Sequence, residues 1–261
     1  MNPKISVITI SYNNREGLEK TIKSVVSQDN NDYEYIMIDG GSEDGSKELL
    51  EKYAEYISYG ISEPDKGIYH AMNKGIQAAH GEYLIFLNSG DQFYDSKSLS
   101  NGAKYLGNED LVYGDLKIVE NNNSFIKKYP KDLSLQHFYY QSLPHPATFI
   151  KKTAFERFGL YDESLKIISD WKWFMIAVCT HNCSFKHIDH TISTFYMDGI
   201  SSVKGNEEKI WAEKNAVFEK YYPRIIGDIR ALLALEGEKS KIKRYKILQF
   251  LNALKIIKLP K

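Results

Sequence analysis

Several aspartates stand where short apolar runs give way to glycine, serine or asparagine, and each position suits a particular chemistry. Asp39 follows Tyr33–Ile38 and precedes Gly40-Gly41. A carboxylate there can accept a hydrogen bond from a nucleobase imide or a ribose hydroxyl, with the glycines allowing close approach. It can equally cap the next helix or close a turn with Gly40. Asp91, in Asn88-Ser89-Gly90-Asp91, follows the apolar run Tyr83–Leu87. A carboxylate at that place suits a hard divalent cation such as Mg²⁺ or Mn²⁺, provided diphosphate oxygens and waters complete the shell; the alternative is a solvated turn. Asp170, in Ser169-Asp170-Trp171-Lys172-Trp173, opens a helical segment. It either caps that helix or, as an anion between aromatics, takes a proton from an attacking hydroxyl. His145, held between Pro144 and Pro146, is a contact for acceptor or metal, or a structural histidine. Tyr12 can stack on a base or pack in the core, and Trp171 and Trp173 can face a sugar or fill the interior.

The elements that must position these residues follow one rhythm over the first ninety residues. Ile5–Ile10, Tyr33–Ile38, Tyr56–Ile61 and Tyr83–Leu87 read as strands, and the segments between them carry apolar residues at helical spacing, the first capped by Asn14. Strands alternating with amphipathic helices predict a parallel sheet covered on both faces, with ligands at the carboxyl ends of its strands. Ser11 with Asn13, Asp39, Asp65 with Gly67, and Asn88 with Asp91 all occupy the loops at those ends. Beyond residue 95 the rhythm changes. Leu111–Tyr113 reads as a strand, and Leu116–Val119 and Phe125–Tyr129 as a hairpin around Asn121-Asn122-Asn123. Ala147–Ile150 is a short apolar run, Asp170–Cys179 a helix, Ser184–Tyr196 two short strands, and the chain from about Glu207 is helical.

Composition narrows the function classes. The chain has 261 residues, 43% hydrophobic and 26% charged, with 34 basic and 34 acidic side chains, so no overall charge points to nucleic acid. Two cysteines, Cys179 and Cys183, make no disulfide framework and too few ligands for a metal, and indicate a reducing compartment. The start has too short an apolar run for a signal peptide, and no stretch is long enough to span a bilayer, so a cytoplasmic location is expected. Ser11-Tyr12-Asn13-Asn14 lacks the glycines of a dinucleotide fold, and no P-loop ending occurs. A sugar nucleotidyltransferase would carry a glycine-rich N-terminal loop, which is absent here.

Five blocks, Val7–Asn13, Ile38–Ser46, Asp65–Gly75, Gly81–Asp91 and Ser169–Trp171, follow the order found in family 2 glycosyltransferases. The resemblance spans roughly residues 4–200, and the sequence closely resembles the bacterial subgroup that builds O-antigens, capsules and other surface polysaccharides. It implies an α/β GT-A fold with a mixed, mostly parallel sheet flanked by helices. It also implies a nucleotide-sugar donor, with UDP the expected nucleotide, and inversion at the anomeric carbon. By that resemblance Ser11, Tyr12 and Asn13 hold the base, Asp39 contacts base or ribose, and Asp65 and Gly67 lie near ribose and diphosphate. Asp91 binds the metal, Asp170 is the catalytic base, and Gly199-Ile200-Ser201 resembles a loop that closes over the donor. Asn88-Ser89-Gly90 replaces a carboxylate pair of the family signature, and Asp198 stands where glycine is frequent.

The expected division is a catalytic domain over 1–205 (nucleotide half 1–95, acceptor half 96–205) and a helical extension over 206–261. Lys239–Lys261 carries eight basic residues and no acid, with Tyr245, Leu248, Leu251 and Leu254 at helical spacing. Such a helix can lie on an anionic membrane near a lipid-linked or glycan acceptor, or dock on the catalytic domain or a second copy of the chain. The rival reading of the whole is a nucleotide-sugar-binding or polysaccharide-assembly partner without catalysis, which intact Asp91 and Asp170 argue against.

Overall fold

The computed structural model describes residues 3–120, 123–197, 205–232 and 234–235. It divides into two units, Met1–Ile210 and Trp211–Lys261. The first holds strands β1 (Ile5–Ser11), β2 (Tyr33–Asp39), β3 (Tyr59–Ser62), β4 (Tyr83–Phe86), β5 (Gln92–Phe93), β6 (Leu111–Glu120), β7 (Asn123–Lys127), β8 (Thr148–Lys151) and β9 (Phe185–Tyr196). Its helices are α1 (Arg15–Val26), α2 (Ser46–Lys52), α3 (Ile68–Ala78), α4 (Ser98–Ala103), α5 (Leu135–Tyr140), α6 (Lys152–Phe158) and α7 (Ser169–Cys179). Helix α8 (Glu207–Tyr221) crosses the division between units. In the second unit the Arg230 guanidinium donates to Asn215 Oδ1 at 2.9 Å.

Among the described residues the strands form one sheet in the order β3-β2-β1-β4-β8-β6-β9-β5, with β7 against β6. Pairing is parallel from β3 to β4 and between β6 and β9; β8 joins the halves antiparallel to both β4 and β6. Every residue of β1 and of β4 is buried, as expected for β-branched and aromatic runs covered on both faces. Helix α1 turns Leu18, Thr21, Ile22 and Val25 inward, and Asn14 caps it by accepting from the Gly17 N–H.

The structure departs from the sequence pattern mainly in the second half. The strands expected at Leu111–Tyr113 and Leu116–Val119 are one strand, β6, and the two expected within Ser184–Tyr196 are one strand, β9. The interruption is a bulge: the register shifts between Tyr113 and Leu116, where a Cβ on Gly114 would lie 2.4 Å from the His190 carbonyl oxygen. The third strand starts at Tyr59 rather than Tyr56, because backbone turns follow α2 as far as Ile57. Both cysteines are free, and burial pushes their thiols up, Cys179 to about 11. Among the described residues no helix is long and apolar enough to cross a membrane.

Candidate active site

Parallel pairing brings the carboxyl ends of the first strands into line, with Ser11 beside Asp39 and Asp39 beside Ser62. Asp39 is 1% exposed. Its carboxylate accepts from the Ser42 N–H at 2.9 Å, the Ser42 hydroxyl at 2.5 Å and the Ser62 hydroxyl at 2.6 Å. It thus closes the turn after β2 and clamps the end of β3. Ser42 Oγ in turn accepts from the Asn13 N–H at 2.8 Å, and Asn13 Oδ1 accepts from the Glu43 N–H at 3.0 Å. Asn13 holds φ +47°, a left-handed conformation that asparagine tolerates.

Tyr12 is 66% exposed, so its ring belongs to the rim and not to the core. A Cβ on Gly40 would lie 2.5 Å from Asp65 Oδ2 and 3.2 Å from the Tyr12 ring. Glycine there lets the Asp65 carboxylate and the Tyr12 ring close over the end of β2 without shifting. Asp65 Oδ1 accepts from the Gly67 N–H at 2.7 Å, and Gly67, at φ +125°, leads directly into α3.

The turn Asn88–Asp91 is tied to α1 and to the first loop. The Thr21 hydroxyl donates to the Asp91 carbonyl at 2.7 Å and accepts from the Gly90 N–H at 3.0 Å. Asn14 Nδ2 donates to the Ser89 carbonyl at 3.1 Å. Asp91 is 9% exposed. Two oxygens at this edge, Asn88 Oδ1 and Ser11 Oγ, are buried without a hydrogen-bond partner, as atoms that await a ligand would be. The donors this turn offers are oxygens, which suit a hard divalent cation. Among the described residues no group of three or more His, Cys, Asp or Glu could hold a metal ion.

Asp170 reaches the same edge from far along the chain. It lies in the first turn of α7, whose N-cap, Ile168, makes no side-chain cap bond. The Asp170 carboxylate is turned instead toward α3, where Oδ1 accepts from the Tyr69 hydroxyl at 2.9 Å. Tyr69 lies two residues beyond Gly67, so the helix that starts in the Asp65 loop carries the group that holds Asp170. Burial and then the Asp170 charge push the Tyr69 phenol well up, and the same two causes raise Tyr161.

His145 is buried at 8% exposure, stacked on Phe86 with ring centroids 4.8 Å apart, and shares a hydrogen bond with the Tyr161 hydroxyl at 2.9 Å. Burial pushes its imidazole down, against the pull of the Asp170 charge. Trp171 is 2% exposed, and its indole N–H donates to the Phe138 carbonyl at 2.7 Å. Both residues brace the wall behind Asp170 and do not line an open surface. Gly199 and Ser201, with Asp198 and the basic stretch Lys239–Lys261, lie outside the described residues. Sequence reasoning did not single out Ser42, Ser62, Thr21 or Tyr69 for the site. Of these, Ser42 and Tyr69 left a trace, Ser42 inside the Ile38–Ser46 block and Tyr69 as an apolar-face residue inside the Asp65–Gly75 block.

Two open cavities lie elsewhere, about 380 Å³ beside Lys20, Gln28 and Phe93 and about 410 Å³ beside Lys4, His80 and Glu82. The second is at the amino ends of the strands, where a parallel sheet does not gather ligand-binding loops.

Comparison with known proteins gives the family. Residues 6–165 match the model of glycosyl transferase family 2. An uncharacterized glycosyltransferase of Mycobacterium tuberculosis is 34% identical over 245 residues, 91% of this chain and 88% of that protein. A glycosyltransferase of Mycobacterium bovis named for PGL/p-HBAD biosynthesis is 28% identical over 65% of this chain and 67% of its own length. Among solved structures, Staphylococcus aureus TarS 1-349 in complex with UDP superposes with a TM-score of 0.62 at 20% identity. That match covers 74% of this chain, which spans only 60% of the TarS chain. The mannosyltransferase PcManGT of Pyrobaculum calidifontis, in complex with GDP-Man and Mn²⁺, gives a TM-score of 0.60 at 16% identity, covering 99% of this chain and 82% of its own. The parallel β3-β2-β1-β4 half, the turn-bound carboxylates at its carboxyl edge and the matched sequence blocks agree: the chain belongs to glycosyl transferase family 2 and is built on the GT-A fold.

Proposed function

We propose that this protein transfers a sugar from a nucleotide-diphosphate donor, with UDP the expected nucleotide, to an acceptor hydroxyl with inversion. The observation that carries the proposal is the Tyr69–Asp170 bond, which joins residues 101 positions apart and sets Asp170 beside the helix that begins in the Asp65 loop. Tyr12, Asn13, Ser11, Asp39, Asp65 and Gly67 form the donor side. In the step itself the acceptor oxygen bonds to the anomeric carbon as its proton passes to Asp170. The bond from that carbon to the diphosphate oxygen breaks, and the leaving group keeps the electron pair. Asp91, with Asn88 Oδ1, would hold a divalent cation, whose chemistry is to offset charge on the departing diphosphate. The neighbours that hold UDP, UDP-GlcNAc, or GDP-Man with Mn²⁺ support a nucleotide-sugar donor and a cation.

The proposal extends to assembly of a bacterial surface glycan on a glycan or lipid-linked acceptor at the cytoplasmic face of the membrane, with residues 1–205 as the catalytic domain. A screen of UDP-glucose, UDP-galactose, UDP-N-acetylglucosamine and GDP-mannose for release of nucleoside diphosphate identifies the donor. With that donor, Asp170→Asn should lower turnover about 10²-fold or more while calorimetry shows donor binding retained. Near-normal turnover would remove Asp170 from the role of base. Asp91→Ala should abolish the gain in donor affinity that Mn²⁺ brings, and an unchanged Mn²⁺ effect would move the cation elsewhere.

A further inference from the structure

We infer that Tyr69 is a positioning residue for Asp170, whose hydroxyl holds one carboxylate oxygen in place and stays hydrogen-bonded before and after the carboxylate takes up a proton. The inference rests on the reading of Asp170 as the base. It does not follow from that reading, because a base needs only an accessible oxygen.

The geometry has three parts. Tyr69 is 5% exposed, with its ring 5.8 Å from that of Tyr161, so the hydroxyl has little room to wander. The residue stands in the first turn of α3, directly after the Asp65 loop. Its single hydroxyl proton faces two acceptors, Asp170 Oδ1 at 2.9 Å and the Ile167 carbonyl at 2.6 Å.

One proton between two acceptors can follow the charge. While Asp170 is an anion, Oδ1 is the stronger acceptor and the charge-assisted bond forms there. Once the carboxylate has taken the acceptor's proton on Oδ2, Oδ1 is a weaker acceptor, and the Tyr69 proton turns to the Ile167 carbonyl. No heavy atom moves, and no buried donor is left without a partner in either state. The neighbours that feel the Asp170 charge are the Tyr161 phenol and the His145 imidazole, both buried. Neither makes a hydrogen bond to Asp170 among those described, whereas Tyr69 does.

A double-mutant cycle tests this, read as nucleoside diphosphate release from whichever of the four nucleotide-sugars named above turns over. Tyr69→Phe keeps the ring and removes the hydroxyl. It should lower kcat about 10- to 100-fold, the loss expected for a hydrogen bond to a charged group, with the donor KM within about two-fold of wild type. In the Asp170→Asn background the same substitution should cost almost nothing further. Thermal melting of all four proteins checks that they are folded. An equal loss in both backgrounds, or a rise in KM with kcat unchanged, overturns the role of Tyr69 while leaving Asp170 as the base. Near-normal turnover in Asp170→Asn alone overturns the base assignment, and the inference falls with it.

Discussion

The two sides of the site hold their aspartates by different means. On the β1–β4 side Asp39 is fixed by the polar groups of Ser42 and Ser62, three and 23 residues away, and the loops around it are stitched to one another through Asn13, Asn14 and Thr21. On the other side Asp170 is held by one phenol from 101 residues away, and that phenol stands in a cluster of Tyr161, His145, Phe86, Phe155, Trp173 and Phe174. The first side is set by hydrogen bonds between neighbouring strand ends, the second by packed rings. Loss of a polar group should therefore hurt the first side through its geometry, and loss of volume should hurt the second through its stability.

Phe174→Ala should separate the two sides most widely. Phe174 is fully buried, and truncating a phenylalanine in a ring cluster costs about 3 to 5 kcal/mol. Urea unfolding should show that loss, while UDP affinity per folded molecule stays near wild type. A loss below about 1 kcal/mol would mean that the cluster relaxes around the gap, contrary to a tightly packed wall. Asp39→Ala is expected to reverse the pattern, with stability falling by about 1 to 3 kcal/mol because the Ser42 and Ser62 groups lose their acceptor. UDP binding by calorimetry should fall much more than that change explains. Equal effects on stability and binding would make the rim as passive as the core.

The smallest effect concerns the loop that leads to Asp170. Burial would raise the Asp162 carboxyl, but hydrogen bonds from Lys172 and Ser164 outweigh it and hold it at about 2, below the ordinary 3.8. Because the folded value is the lower one, Asp162 contributes stability above pH 3.8, and that contribution fades as pH falls toward 2. Asp162→Asn should flatten the stability profile across this window. The carboxylate is 33% exposed, so the change should be modest. An unaltered profile would show that the Lys172 pair adds nothing to the anchoring of α7.

The same contrast governs what could be read from residue order. The runs of β1, β2 and β4 and the loops after them were legible because a strand buried on both faces needs a continuous apolar run, and its end needs polar turn residues; β3, exposed at its start, was read three residues early. Tyr12 was open between base stacking and core packing, and its exposure decided for the rim. Asp39 was open between turn and ligand contact, and it closes the turn while standing at the ligand edge. His145 and Trp171 were open between contact and structure, and both are enclosed. Long β6 and β9 were read as fragments because the bulge at Gly114 interrupts the alternation that marks a strand.

By itself, then, residue order determined the parallel half of the sheet, the edge at which its loops gather, and through the matched blocks the family. Those features are written in short-range periodicity and in motifs whose members are close in the chain. Only the tertiary structure decided that Asp170 meets Tyr69 from the first turn of α7, that Asp65 and Tyr12 close over Gly40, and that Asn88 Oδ1 and Ser11 Oγ are left without partners. Contacts of this kind depend on how helices cross a sheet and on which side chains fill the space between them, and no local pattern encodes that.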